Sequence, residues 1–103
     1  DWPKAYKSAT KIRSANSCSK LQSELDQVNP GDMIIVETGE YKACTITITR
    51  SGTQDRPIIV TSKAKALNRS GAVIFSGGNK FATLANSASH YIIGGFQFID
   101  QSR

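Results

Sequence analysis

Metal ligands and apolar runs are both scarce in this sequence. Its 103 residues include one histidine, His90, and two cysteines, Cys18 and Cys44. These are too few for a structural zinc site, which draws its ligands from cysteine and histidine. No apolar run approaches the roughly 20 residues that a membrane-spanning helix needs. We therefore expect no zinc site of that type and no membrane partner.

Charge of one sign is in excess, but it is not concentrated. Thirteen lysines and arginines against eight acids give a net charge of +5. The cations are spread along the chain, for example at Lys4, Lys7, Lys11 and Arg13 early and at Lys63, Lys65 and Arg69 later. Such a spread is typical of solvated surface, and it also attracts polyanions. Because no helix-turn-helix, zinc-finger or RNP pattern accompanies it, we expect no nucleic acid, and an anionic polysaccharide stays open as a partner beside the interpretation as plain surface.

The two cysteines allow two interpretations. Cys18 and Cys44 could form one disulfide in a secreted protein. They could equally be two buried thiols, since free cysteine packs like a small apolar side chain. The sequence leaves both open.

One helix is predicted, over Ser17–Val28 in "SCSKLQSELDQV". Leu21, Leu25 and Val28 recur at helical spacing and form a single apolar stripe. Ser19 with Gln22 fits a capping box, and Ser17 is a competing N-cap. The run Asn29-Pro30-Gly31 is expected to end the helix.

The chain after Gly31 is rich in short β-branched runs. Strands are predicted at Met33–Glu37, Thr45–Thr49, Pro57–Thr61, Ala72–Phe75, Phe81–Leu84 and Tyr91–Phe98. The stretch "TITIT" alternates, which puts Ile46 and Ile48 on one face. The runs "MIIV", "PIIV" and "YIIG" begin at residues 33, 57 and 91 and resemble copies of one unit. Repeats of roughly 20–45 residues are typical of solenoids.

The connections between these strands favour one architecture. Asn-Gly and Asp-Gly, the usual signals of two-residue hairpins, are absent. No segment between strands is long enough for the helices of a βαβ sheet. We therefore predict an all-β parallel β-helix whose first strands are covered by the helix. The predicted divisions are an N-terminal extension (1–16), a capping helix and turn (17–30), and the first coils of the β-helix (31–103).

Several stretches resemble the opening of a known family. They are "LQSELDQVNPGDMIIVETGEY", "TITRSGTQDRPIIVTS", "AVIFSGG" and "YIIGGFQF". They resemble right-handed parallel β-helix polysaccharide lyases, in particular polysaccharide lyase family six, which contains alginate lyases and chondroitinase B. The matching motifs are Pro30-Gly31-Asp32, Gly39-Glu40-Tyr41, Ser51-Gly52-Thr53, Pro57-Ile58 and Gly95-Phe96-Gln97-Phe98. The resemblance covers roughly Ser17 to Asp100.

Each of these motifs has a structural role to play. Gly39 and Gly52 are expected to allow positive φ at tight corners. Tyr41 is expected to place its ring on the core and its hydroxyl on a corner carbonyl. These roles account for the motifs without any catalytic function.

The resemblance implies chemistry that lies elsewhere in such lyases. A basic pair and a calcium-binding acidic cluster are implied on later coils, where proton removal leads to β-elimination. None of those positions can be matched here, so we assign no catalytic or metal-ligating residue and expect no calcium bound by this chain. The resemblance further implies a secreted or periplasmic protein.

Few residues remain as candidates for a site. The acids Asp32, Glu37, Glu40, Asp55 and Asp100 are scattered singly, without the spacing of metal ligands. His90 is predicted to be an ordinary corner residue at a strand start. Lys42, Arg50 and Lys80 lie near corners and could contact an anionic chain. The residues that bind substrate stay unassigned.

Two classes of function remain open at this point. The first is the N-terminal portion of a secreted lyase that cleaves a uronate polysaccharide, with alginate favoured and the catalytic residues outside this chain. In that interpretation the remainder of its own β-helix is a partner, and this segment alone is inactive. The alternative is a non-catalytic β-helix adhesin or carbohydrate-binding module. Other β-helix enzymes, such as epimerases or hydrolases, complete the list.

Overall fold

A computed structural model of the chain describes residues 8–68, 70–77, 82–84 and 89–99. The strands are β1 (Ile12–Ala15), β2 (Met33–Val36), β3 (Gly39–Lys42), β4 (Ile46–Ile48), β5 (Ile58–Ser62), β6 (Val73–Ser76), β7 (Ala82–Leu84), β8 (Tyr91–Gly94) and β9 (Phe96–Ile99). The helices are α1 (Cys18–Leu25) and α2 (Lys63–Leu67). Within the described ranges no helix is long and apolar enough to cross a membrane.

The strands form three sheets, and every pairing is parallel. Their orders are β1-β2-β5-β8 in the first sheet, β3-β6-β9 in the second and β4-β7 in the third. The chain therefore contributes strands to the three sheets in the same order in each repeat. Strands β2, β3 and β4 make a first repeat, β5, β6 and β7 a second, and β8 and β9 a third. The predicted absence of antiparallel hairpins is confirmed for these strands.

Side-chain alternation builds the core. Ile46 and Ile48 are buried while Thr45, Thr47 and Thr49 are exposed, as "TITIT" predicted. In the second sheet the register places Tyr41 beside Phe75 and Phe75 beside Phe98. The ring centroids of these neighbours are 5.3 and 5.8 Å apart, so an aromatic ladder runs through the core.

Strand β2 is buried on both faces. Ile34 and Val36 lie in the main core. Met33 and Ile35 face the other way and pack with Ala66 of α2 in a second apolar cluster. The continuous run "MIIV" is thereby explained, because α2 covers the outer face of the first sheet. The sequence pattern predicted no helix at α2, since five residues are too short to show a periodic stripe.

Helix α1 lies where the apolar stripe predicted. Leu21, Leu25 and Val28 are all buried. Ser17 is the N-cap, and its hydroxyl accepts a hydrogen bond from the Lys20 N–H at 3.0 Å. The helix ends at Leu25, earlier than predicted, because a tighter turn in which the Gln27 N–H donates to the Glu24 carbonyl follows at once.

Two strands lie where none was predicted. Strand β1 falls inside the segment interpreted as an extension and pairs with β2. Strand β3 falls in a stretch interpreted as a corner and pairs with β6. Each buries one side chain, Ala15 or Tyr41, so neither produces an apolar pattern. The strand predicted over Tyr91–Phe98 is instead two strands, divided at Gly95 with a φ of +87°.

The two corner glycines differ in why glycine is required. Gly39 has a φ of +150°, so the predicted positive φ is confirmed there. At Gly52 that prediction is wrong, because its φ is not positive. A Cβ at Gly52 would lie 2.7 Å from the His90 carbonyl oxygen and 2.7 Å from the Ile58 nitrogen. Close approach of the next repeat's backbone therefore demands glycine at Gly52.

Candidate functional site

A charged cluster fixes α1 to the first sheet. Arg13 on β1 donates from Nε to Asp32 Oδ2 at 3.0 Å and from Nη1 to Glu24 Oε1 at 3.1 Å. Its Nη2 donates to the Gln27 carbonyl at 3.2 Å. Asp32 is buried and also accepts from the Asn29 N–H at 3.0 Å. The Pro-Gly-Asp motif thus ties the strand, the helix and the turn together.

The charges in this cluster stabilise one another. Burial disfavours the charged form of Arg13, but its hydrogen bonds to Asp32 and Glu24 outweigh burial and raise its pKa. Burial also disfavours the charged form of Glu24, yet hydrogen bonds from Lys20 and Arg13 lower its pKa. Both groups stay ionised at neutral pH, as expected of a structural ion pair.

Gln22 occupies the edge of the third sheet. Its Nε2 donates to the Thr47 carbonyl at 2.9 Å, and its Oε1 accepts from the Thr47 N–H at 2.9 Å. The side-chain amide therefore makes the two bonds that a neighbouring strand would make with β4. Helix α1 covers this edge against further pairing.

A disulfide joins α1 to the corner before β4. Cys18 and Cys44 are bonded, with their Cα atoms 5.6 Å apart, so of the two interpretations of the cysteines the bridge is the one found. A shallow groove of about 560 Å³ lies beside it, lined by polar side chains that include Ser19, Gln22 and Asp26. No buried charge points into this groove from the described residues.

Arg50, predicted to contact an anionic chain, is engaged within the fold. It donates from Nε to the Val28 carbonyl at 2.6 Å and from Nη2 to Asn29 Oδ1 at 3.0 Å. Its own carbonyl accepts a hydrogen bond from the Tyr91 hydroxyl, and burial raises the pKa of Tyr91 to about 12. Arg50 thus links the turn that follows α1 to the third repeat.

The other predicted contacts are distributed over separate parts of the surface. Lys42 is exposed on the outer face of the second sheet. On the same face Ser76 donates from its hydroxyl to Glu40 Oε2 at 2.6 Å. His90 is exposed, and its carbonyl accepts from the Ile58 N–H at 3.0 Å, which is the role of a corner residue. Lys80 lies outside the described residues.

The acids are distributed in the same way. Asp32 pairs with Arg13, Glu37 with Lys63 at 3.4 Å, and Asp55 is exposed, while Asp100 lies outside the described residues. Over 8–68, 70–77 and 89–99 no three side chains among histidine, cysteine, aspartate and glutamate come together as a metal site would require. The described residues therefore offer no set of oxygen ligands that fits calcium.

Comparison with known proteins identifies the family. Residues 15–102 match the family model described as Chondroitinase B. The chain belongs to the chondroitinase B family. No curated protein matches it. The family implies a β-helix and a polysaccharide lyase, and the predicted resemblance is thus confirmed to the level of the chondroitinase B family.

The matched range contains the motifs whose structural roles are given above. It begins at Ala15, the buried end of β1, and it includes α1 and all of β2 to β9. Pro30-Gly31-Asp32, Tyr41 and Gly52 all lie within it and have structural roles here. Sequence reasoning missed the roles of Arg13 and Gln22 because each contacts residues distant in sequence. The capping box predicted for Ser19 and Gln22 is wrong, since Ser17 is the N-cap and Gln22 bonds Thr47 instead.

Proposed function

We propose that this chain is the N-terminal, capped portion of a secreted polysaccharide lyase acting on a uronate-containing polysaccharide, with alginate as the first candidate. The observation that carries the proposal is the match of residues 15–102 to the chondroitinase B family. The net charge of +5 supports an anionic polymer as the substrate class. Calcium dependence is proposed for the whole enzyme on the resemblance alone.

The fold proposed for the complete protein is a right-handed parallel β-helix. The support is the repeated order of the three parallel sheets and the register of the aromatic ladder. Parallel strands joined by a crossover within one sheet are right-handed in nearly all known proteins, which gives the hand. The extent of the complete β-helix is part of the proposal.

In this proposal the segment forms the covered N-terminal end on which the rest of the lyase is stacked. Helix α1 covers the edge of the first repeat, whereas Ile92, Ile93, Phe98 and Ile99 of the third repeat are exposed. We propose that the remainder of its own β-helix pairs with β8 and β9 and covers these side chains. The residues that remove the proton next to the uronate carboxylate, and that assist departure of the linked sugar, then belong to that remainder.

The secreted or periplasmic location is part of the same proposal. It is supported by the Cys18–Cys44 disulfide, since disulfides persist in oxidising compartments. Thiol titration of the unreduced, denatured protein tests it. We expect no free thiol from these two residues, and two free thiols would count against secretion.

The activity is tested by assay for unsaturated uronate, which absorbs in the ultraviolet. The complete gene product and the 103-residue chain are each incubated with alginate and with chondroitin, with calcium or with a chelator. We expect absorbance to rise with the complete product and calcium, and to stay at background with the 103-residue chain. Cleavage by the chain alone would overturn the placement of the chemistry. Binding without cleavage by the complete product would support the carbohydrate-binding or adhesin alternative.

A further inference from the structure

Residues Asn68-Arg69-Ser70 form a tripeptide that the lyase proposal does not use. The order of asparagine, a residue other than proline, and serine is the acceptor pattern for N-linked glycans. Among the five asparagines of the chain it is the one followed by serine or threonine at the second position. Three-residue patterns of this kind also arise by chance. Whether Asn68 could carry a glycan therefore depends on its exposure and its contacts.

The structure places Asn68 at an exposed turn. It ends helix α2 with a φ of +56° and a ψ of +51°, in the left-handed region where asparagine is one of the tolerated residues. Its backbone N–H donates to the Lys65 carbonyl at 3.4 Å. Both Asn68 and Ser70 are exposed. The backbone is held in place while the side chain lies at the surface.

Neither side chain is used by the part of the fold that the structure describes. Within the described part of the chain, no hydrogen bond or ion pair involves the Asn68 amide or the Ser70 hydroxyl. Apolar contacts that hold α2 to the first sheet come instead from Ala66, with Leu67 packed at its border. A bulky group on the Asn68 amide nitrogen would therefore displace no contact of the core.

We propose that Asn68 is an acceptor site for an N-linked glycan. The co-reactant is an oligosaccharide carried on a lipid diphosphate. A bond forms between Asn68 Nδ2 and the anomeric carbon of the first sugar, and the bond from that carbon to the diphosphate breaks. The diphosphate leaves with the electron pair, and the amide nitrogen gives up one proton. The disulfide gives independent support, because glycan transfer and disulfide formation share the secretory compartment.

The test is secretion of the 103-residue chain from a eukaryotic cell behind a secretion signal, followed by intact-mass measurement. Material in the medium and material retained in the secretory compartment are both measured, so a folding defect does not hide the result. We expect one glycan, removed by peptide N-glycosidase with conversion of Asn68 to aspartate. Asn68→Gln and Ser70→Ala should each abolish it, and Ser70→Thr should keep it.

Asn16 provides the matched control, because it too is exposed and is followed by Ser17 and then by Cys18, whose sulfur is in the disulfide. Asn16→Gln should leave the glycan in place. An unmodified mass for the wild-type chain in both fractions would overturn the proposal, as would a glycan that persists in Asn68→Gln. The outcome is independent of lyase activity.

Discussion

The two ends of the stacked sheets are finished in opposite ways. At the first repeat, β1 pairs with β2, Gln22 bonds the edge of β4, and the disulfide holds α1 over the core. At the third repeat, β8 and β9 are the last described strands of their sheets, and Phe98 is 50% exposed. The comparison teaches that α1, β1 and the disulfide cover the first repeat, whereas the described part of the third repeat leaves large apolar side chains exposed.

The same difference runs through the aromatic ladder. Phe75 lies between Tyr41 and Phe98 and is completely buried, while the side chain of Phe98 is half exposed. Equal side chains in register therefore have unequal environments. The contributions of Phe75 and Phe98 to the free energy of unfolding should therefore differ by a measurable amount.

The largest effect is expected from truncating the ladder at its centre. Phe75→Ala should lower the free energy of unfolding by about 3–5 kcal/mol, since it removes a fully buried ring and leaves a cavity. Phe98→Ala is the matched control and should cost less than half as much, because its ring is half exposed. Urea denaturation measures both. Equal losses would contradict the assigned difference between the two ends.

Removing the disulfide should produce the next largest effect. Cys18→Ser combined with Cys44→Ser should lower the free energy of unfolding by about 3 kcal/mol, because the bridge closes a loop across a sequence separation of 26 residues. Thermal denaturation with and without reductant checks this. Reductant should lower the melting temperature of the wild-type chain and leave the double variant unchanged. A wild-type chain indifferent to reductant would remove the disulfide from the account of the cap.

Acidification should loosen the cap through Glu24. Because the pKa of Glu24 is lowered in the folded state, its contribution is full above the unfolded value of about 4.3. It is lost as pH falls through the folded pKa. Glu24→Gln should cost about 1 kcal/mol at neutral pH and flatten the decline of stability in acid. Urea titrations at several pH values check this, with Asp55→Asn, an exposed acid, as the control.

The smallest effect concerns the corner between the second and third sheets. Ala43 has a φ of +54°, and Gly77 with a φ of +66° follows the register partner of Lys42 in the next repeat. Alanine is strained in this region and glycine is not. Ala43→Gly should therefore raise the free energy of unfolding by about 0.5 kcal/mol after the extra unfolded-state entropy of glycine, and Gly77→Ala should lower it. Changes of the same sign in both variants would contradict this.

How much of this could be predicted from the sequence depends on how local the signal is. The stripe of Leu21, Leu25 and Val28 and the alternation of Ile46 and Ile48 arise from neighbouring residues, and both are confirmed. The family opening was likewise evident from short motifs. These local patterns sufficed to predict parallel strands without hairpins.

The features that escaped prediction depend on residues brought together by folding. Gln22 imitates a strand only because Thr47 lies opposite it. Gly52 is required in part by the backbone of His90, which precedes the third repeat and lies far along the chain. For the same reason the sequence could not decide between a Cys18–Cys44 disulfide and two free thiols. Arg50 was predicted to contact an anionic chain because its partners at Val28 and Asn29 are not evident from sequence spacing.

Backbone hydrogen exchange of the intact 103-residue chain tests the central claim most directly. In the first sheet β2 is paired on both sides, by β1 and β5, whereas β8 is paired on one side among the described strands. The account predicts slow exchange in β2, and faster exchange in β8 and β9 than in β5 and β6. It also predicts that reduction of the disulfide accelerates exchange in α1 and β4. Uniform protection across the three repeats, or slower exchange in β8 than in β2, would contradict the claim that the first repeat is covered and the described strands of the third repeat are not.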